Sequence, residues 1–101
     1  MTPLLVIPAR LGSSRLPGKP LAEIAGEPMI VHVWRRAVAA AVGPVVVACA
    51  EREIGAAVEA AGGEAVLTRV DHPSGSDRVH EAVTLLDRAG RHDVVLNVQA
   101  D

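Results

Sequence analysis

Residues 4–20 read LLVIPARLGSSRLPGKP, an unbroken apolar run that gives way at once to a loop holding two glycines, two serines and three cations. The run has the look of a strand covered on both faces, because a half-exposed strand would alternate with polar residues. The loop behind it places Arg10, Arg15 and Lys19 within ten residues with no acid among them. That composition favours an anion, and the glycines allow the backbone itself to approach it.

Three more apolar runs follow the same pattern: VVVAC (45–49), AVL (65–67) and VVLNV (94–98). Helical periodicity fills the gaps between them. In PMIVHVWRRAVAAA, Ile30, Val33, Trp34, Ala37, Val38 and Ala41 recur at the spacing of one helix face, with Pro28 in the first turn. In EREIGAAVEAAGG, Glu51 and Glu53 stand at a helix N-terminus, Ile54, Val58 and Ala61 form a stripe, and Gly62-Gly63 ends it. A third helix is expected from near Ser74 or Ser76, through Val79, Ala82, Val83 and Leu86, to Gly90. The order β-α-β-α-β-α-β predicts an α/β fold, an open parallel sheet joined by right-handed crossovers. Its fourth strand is followed directly by Asp101, so the reading expects a sheet cut short, with an open edge that favours homo-oligomers.

Composition narrows the function. With 101 residues, half of them apolar, the chain is sized for one small domain or part of a larger one. A net charge of −2 gives no support to a general nucleic-acid or membrane-surface role. One Trp, with no Phe or Tyr, rules out the aromatic platforms of single-strand binders. The single cysteine, Cys49, excludes an internal disulfide and a cysteine-rich zinc site, and fits a reducing cytoplasm. The N-terminal apolar run has no basic residue before it, unlike a signal peptide, and no run reaches the ~20 residues of a membrane span. A cytoplasmic location is therefore expected.

Ligands of open α/β sheets bind outside the carboxyl ends of the strands, where the 8–20 loop falls. It is not a P-loop, since Gly12 and Gly18 are six apart rather than five and Lys19 precedes Pro20 instead of a hydroxyl residue. The dinucleotide fingerprint G-x-G-x-x-G is absent. A solvated basic loop would account for one cation, but not well for three cations with two glycines and two serines at a strand end.

IPARLGSSRLPGKPL, followed by PMIVHV, resembles the N-terminal signature of the sugar-activating cytidylyltransferases. AAGGEAVLTRVDHPSGSDRVHEA and VLNVQAD are similar to the later motifs of the same group, above all of the 3-deoxy-manno-octulosonate (KDO) cytidylyltransferases of lipopolysaccharide assembly. The first motif is shared with nucleotidyltransferases for other sugars; DHPSGSDR and NVQAD point to KDO. The resemblance covers nearly the whole chain. It implies a Rossmann-like sheet of the nucleotide-diphospho-sugar transferase type, with residues 1–101 as its nucleotide-binding N-terminal part and the sugar-binding remainder absent.

The implied reaction is attack by the sugar's anomeric hydroxyl on the α-phosphate of CTP, with pyrophosphate leaving. Such chemistry needs neutralised phosphates and correct positioning more than a covalent step. The resemblance implies that Arg10 and Lys19 clamp the triphosphate and that Arg15 acts on the phosphates or on the acid sugar. Backbone amides from Ala9 through Leu11 and Gly12 to Ser13 would receive phosphate oxygens. Arg69, Ser74 and Gly75 would lie on the cytosine side, and Gln99 would touch ribose or sugar. Asp101 would bind Mg2+, a hard cation that takes carboxylate and phosphate oxygens. The family's Gln-Gly-Asp triplet has Ala100 at its centre here, and alanine tolerates positive φ poorly. With one carboxylate and no sugar half, the chain alone is expected to be a poor catalyst. A non-catalytic nucleotide-binding module, an assembly fragment, or a nucleotidyltransferase for another sugar acid remain alternatives.

The other polar residues read less sharply. Thr68-Arg69 and Ser74-Gly75 fit a base-reading loop and a plain strand-to-helix turn with a Ser cap equally well. Arg78 falls in the first turn of the third helix, facing either the site or solvent. His72, His80, Asp71 and Asp77 lack zinc-type spacing and read as solvated. His32 reads as surface or locally satisfied, Asn97 as satisfying backbone groups, and Cys49 and Trp34 as core.

Overall fold

The computed structural model describes residues 3–11, 23–41, 43–69, 75–86 and 94–97. In chain order these form β1 (Pro3–Ala9), β2 (Glu23–Ile24), β3 (Glu27–Pro28), α1 (Met29–Ala39), β4 (Val45–Cys49), α2 (Arg52–Ala60), β5 (Ala65–Leu67), α3 (Gly75–Leu86) and β6 (Val94–Asn97). Four strands make one sheet in the order β5-β4-β1-β6, all parallel. The α/β fold expected from the apolar runs is therefore the fold observed.

The central strands β1 and β4 bury both faces, which is why their runs do not alternate. Leu5, Ile7 and Ala9 of β1, with Val47 and Cys49 of β4, meet Ile30, Val31 and Ala37 of α1 and Ile54 and Val58 of α2. The intervening residues Leu4, Val6, Val46 and Ala48 meet Val79 and Ala82 of α3 on the opposite face. Handedness explains the division. The chain steps outward from β1 to β4 to β5, then returns past β1 to β6, and right-handed crossovers in opposite directions must lie on opposite faces.

The reversal also locates the ligand crevice. Connections leave β1 toward β4 on one side and arrive at β6 on the other, so the topological switch point lies between β1 and β6.

Between β1 and α1 the chain adds a hairpin that apolar periodicity does not reveal. Glu23 pairs with Pro28 and Ile24 with Glu27, and Ala25 and Gly26 take φ values of 55° and 86°. Positive φ at both central residues is what a type I′ turn requires. The hairpin is tied to α1 by His32, whose Nε2–H donates to the Ile24 carbonyl at 2.6 Å, and by a bidentate Arg35–Glu27 ion pair. That pair holds the exposed Glu27 carboxyl below its ordinary pKa through the Arg35 hydrogen bonds. Pro28 accordingly ends β3 and caps α1 rather than sitting in the helix's first turn.

The helix stripes are shorter than the periodicity predicts. On α1, burial ends at Ala37; Val38 is 47% exposed, and Ala41 turns out of the helix at φ 54°. Val31 joins the core instead. Helix α2 closes as expected at its glycine pair. Gly62 (φ 99°) donates to the Glu59 carbonyl at 3.0 Å and Gly63 to Val58 at 2.9 Å, the two bonds of a Schellman motif. Among the described residues, no helix is long and apolar enough to cross a membrane.

Gly63 has a second duty. A Cβ there would lie 2.7 Å from both Trp34 Cε2 and Val58 Cγ1, so the indole of α1 packs directly over the glycine. Gly63→Ala is expected to destabilise the fold by about 1–3 kcal/mol through overpacking. Because Trp34 is the sole tryptophan, its fluorescence should shift as well. Gly62→Ala meets open space and pays only for its backbone angle, about 1 kcal/mol. Urea titration followed by Trp34 emission separates the two: both variants lose stability, and only Gly63→Ala moves the native spectrum.

Candidate functional site

The carboxyl edge of the sheet is stitched together residue by residue. Ala50 N–H donates to the Ala9 carbonyl at 3.0 Å, joining the exits of β4 and β1. Thr68 N–H donates to the Cys49 carbonyl at 2.8 Å, joining β5 to β4. The Thr68 hydroxyl donates to the same carbonyl at 3.2 Å and accepts from Arg78 Nε–H at 2.9 Å. Arg78 Nη2 reaches the Arg69 carbonyl at 3.0 Å.

Arg78 is the largest of the fully buried side chains, only 2% exposed. It faces neither solvent nor the outer surface of α3, as its position in the first helical turn left open. Burial is the main influence lowering its pKa, and the Arg10 charge adds to it. Glu51 and Glu81 oppose both. A guanidinium nonetheless stays charged in proteins. The charge of Arg10, which follows β1, is thus felt at Arg78 on α3. Arg10 is exposed and, among the described residues, makes no ion pair.

Glu51 holds the other side of the edge. It stands at the N-cap of α2 but makes no capping bond; its Oε1 accepts from the Leu11 N–H at 2.9 Å, 40 residues away in sequence. The expected phosphate-receiving role of the Leu11 amide thus meets a carboxylate already in place. Ala9 is the last residue of β1, and its carbonyl is bonded to Ala50. Arg69 has an exposed side chain and leaves β5 toward α3, which Gly75 opens. Gly12, Ser13, Arg15, Lys19, Ser74, Gln99 and Asp101 lie outside the described residues, as do Asp71, His72 and Ala100.

Cys49 is a core thiol. Burial pushes the Cys49 thiol pKa up, so it stays protonated in the core beneath β5. Among the described residues, no group of three or more His, Cys, Asp or Glu side chains could hold a metal.

A family model described as cytidylyltransferase matches residues 4–101. The chain belongs to the cytidylyltransferase family. It is 65% identical over its whole length to a 3-deoxy-manno-octulosonate cytidylyltransferase of Paramagnetospirillum magneticum. It is 69% identical over 99 residues to that of Methylobacterium radiotolerans, covering 98% of the chain. The chain spans 41% and 40%, respectively, of the lengths of these relatives. A solved CMP:2-keto-3-deoxy-manno-octonic acid synthetase complexed with CTP matches the fold with a TM-score of 0.89 and 47% identity, covering all of this chain and 41% of that one.

Within this cytidylyltransferase fold, sequence reasoning missed Glu51 as a clasp on the first loop and left Arg78 undecided. One signal was available for Arg78: helical spacing sets it beside Val79 and Ala82, on a face that α3 must bury. The hydroxyl of Thr68 is the hinge of the network. Thr68→Val keeps the shape but leaves a buried guanidinium without its acceptor, which should cost about 2–3 kcal/mol. Thr68→Ser keeps the hydroxyl and is expected to cost less than half as much in the same denaturant titration.

Proposed function

We propose that this chain carries the nucleotide-binding residues of a KDO cytidylyltransferase, which converts CTP and 3-deoxy-D-manno-octulosonate to CMP-KDO and pyrophosphate for lipopolysaccharide precursor synthesis. The observation that carries the reading is Arg10, exposed just past the carboxyl end of β1 and without an ion pair among the described residues, its charge acting on the buried Arg78. Two like charges at one edge of the sheet, one of them barred from water, favour a polyanion beside them. The names and CTP complex of the relatives supply the choice of nucleotide and sugar.

In this reading, the anomeric hydroxyl forms a bond to the α-phosphorus, the bond from that phosphorus to the bridging oxygen breaks so that pyrophosphate leaves with that oxygen, and the hydroxyl proton passes to solvent water. Arg10 and Lys19 hold the phosphates and stabilise charge developing on the leaving pyrophosphate. Arg15 contacts the phosphates or the sugar carboxylate. Arg69, with Ser74 and Gly75, flanks the cytosine, and Gln99 reaches ribose or sugar. Asp101, four residues past the end of β6 in the sequence, supplies the carboxylate for Mg2+, whose hard oxygen preference suits an acid beside phosphates. The metal, when bound, neutralises phosphate charge. The enzyme acts in the cytoplasm on small molecules, as a homo-oligomer, with neither nucleic acid nor membrane as partner.

Calorimetric titration of CTP, ATP, GTP and UTP with Mg2+ tests the reading. Selective CTP binding is expected, weakened about 10- to 100-fold by Arg10→Ala, the loss of a charge-assisted bond. Equal binding of all four nucleotides would overturn base selectivity. No binding, or binding indifferent to Arg10→Ala, would overturn the site.

A further inference from the structure

Arg69 leaves the shortest strand of the parallel sheet, at its edge, where the ladder no longer supplies partners for its backbone. Two side chains of α3 take over. Glu81 Oε1 accepts from the Arg69 N–H at 3.1 Å, and Arg78 Nη2 donates to the Arg69 carbonyl at 3.0 Å. Residues 78 and 81 are three apart on a helix and so share a face. Arg78 is itself immobilised, because its Nε–H is bonded to the Thr68 hydroxyl and that hydroxyl to the Cys49 carbonyl of β4. Both backbone groups of a single residue are therefore held from one helix face, while its side chain is exposed.

We infer that Arg78 and Glu81 are positioning residues, a two-point brace on the Arg69 backbone that sets where the Arg69 side chain meets the pyrimidine of the nucleotide. This rests on the cytidylyltransferase function proposed above. The brace gives α3, which touches the sheet on the face opposite α1 and α2, a direct hold on base recognition. Its effect is confined to the base: phosphate affinity comes from Arg10 and the first loop, on another strand. A capping role for Glu81 in α3 stability alone would produce no such division.

The test uses the full chain with Glu81→Ala, Glu81→Gln, Arg69→Ala and the Arg69→Ala/Glu81→Ala double variant. Glu81 is chosen because it is only half-buried, whereas removing Arg78 risks unfolding. Amide hydrogen exchange at Arg69 reads the brace without any ligand. It should quicken in Glu81→Ala and return toward the original rate in Glu81→Gln, which keeps an oxygen acceptor. CTP affinity should fall about three- to tenfold in Glu81→Ala, as for loss of one hydrogen bond. Affinity for inorganic tripolyphosphate should not change, and Glu81→Ala should add nothing in the Arg69→Ala background. Unchanged Arg69 exchange, equal loss of CTP and tripolyphosphate, or additive effects in the double variant would each overturn the inference. Failure of the unsubstituted chain to bind CTP, with Arg69 exchange still responding to Glu81→Ala, would overturn the proposed function and the base-positioning role with it, leaving a purely structural brace.

Discussion

A guanidinium removed from water carries a desolvation penalty of several kcal/mol unless its donors are met by well-placed acceptors. Arg78 is in that position, and the carboxyl edge of the sheet is arranged around satisfying it. Its Nε–H requires the Thr68 hydroxyl, which in turn is directed at the Cys49 carbonyl, so the buried cation fixes β5 against β4 at the point where both strands end. Its Nη2 requires the Arg69 carbonyl, which fixes how the chain leaves β5. No buried side-chain polar atom among the described residues lacks a partner, the condition on which such a network contributes rigidity rather than strain.

The rest of the architecture brings that rigid edge to the right place. Parallel strands all end at the same side of the sheet, and the reversal of crossover direction opens a crevice between β1 and β6. Helices α1 and α2 cover one face and α3 the other, so Arg10 reaches the edge from the central strand while Arg78 reaches it from behind. The β2–β3 hairpin is held in place as well. Its ties to His32 and Arg35 anchor to α1 the chain that follows residues 12–22.

Much of this was legible in the sequence because strands packed under helices write themselves as apolar runs. VVVAC and AVL coincide with β4 and β5 residue for residue, and the Gly62-Gly63 pair marked the close of α2 through its need for positive φ. The hairpin was not legible, since strands of two residues bury too little to leave a pattern. Val38 and Ala41 misled for the opposite reason: they keep the helical spacing, but Val38 is left uncovered and Ala41 lies past the helix end at positive φ. The candidate site divided along a similar line. Arg10 and Arg69 could be picked out as charges at strand ends, whereas Arg78 and Glu51 act through contacts between elements distant in the chain. Periodicity carries no record of a carboxylate meeting an amide 40 residues earlier.

That carboxylate bears on how an anion would enter. A backbone N–H that accepts Glu51 as partner offers the geometry and polarity that a phosphate oxygen also needs, so the Leu11 contact shows that the first loop begins with a donor suited to negative oxygen. Glu51 also offsets part of the mutual repulsion of Arg10 and Arg78. A polyphosphate beside Arg10, as proposed above, would compete with Glu51 for that offset and for the Leu11 amide, so the internal carboxylate lowers the net gain per phosphate contact. The same carboxylate keeps the Leu11 amide satisfied at the sheet's edge, so Glu51 ties the packing of that edge to the anion chemistry proposed for it.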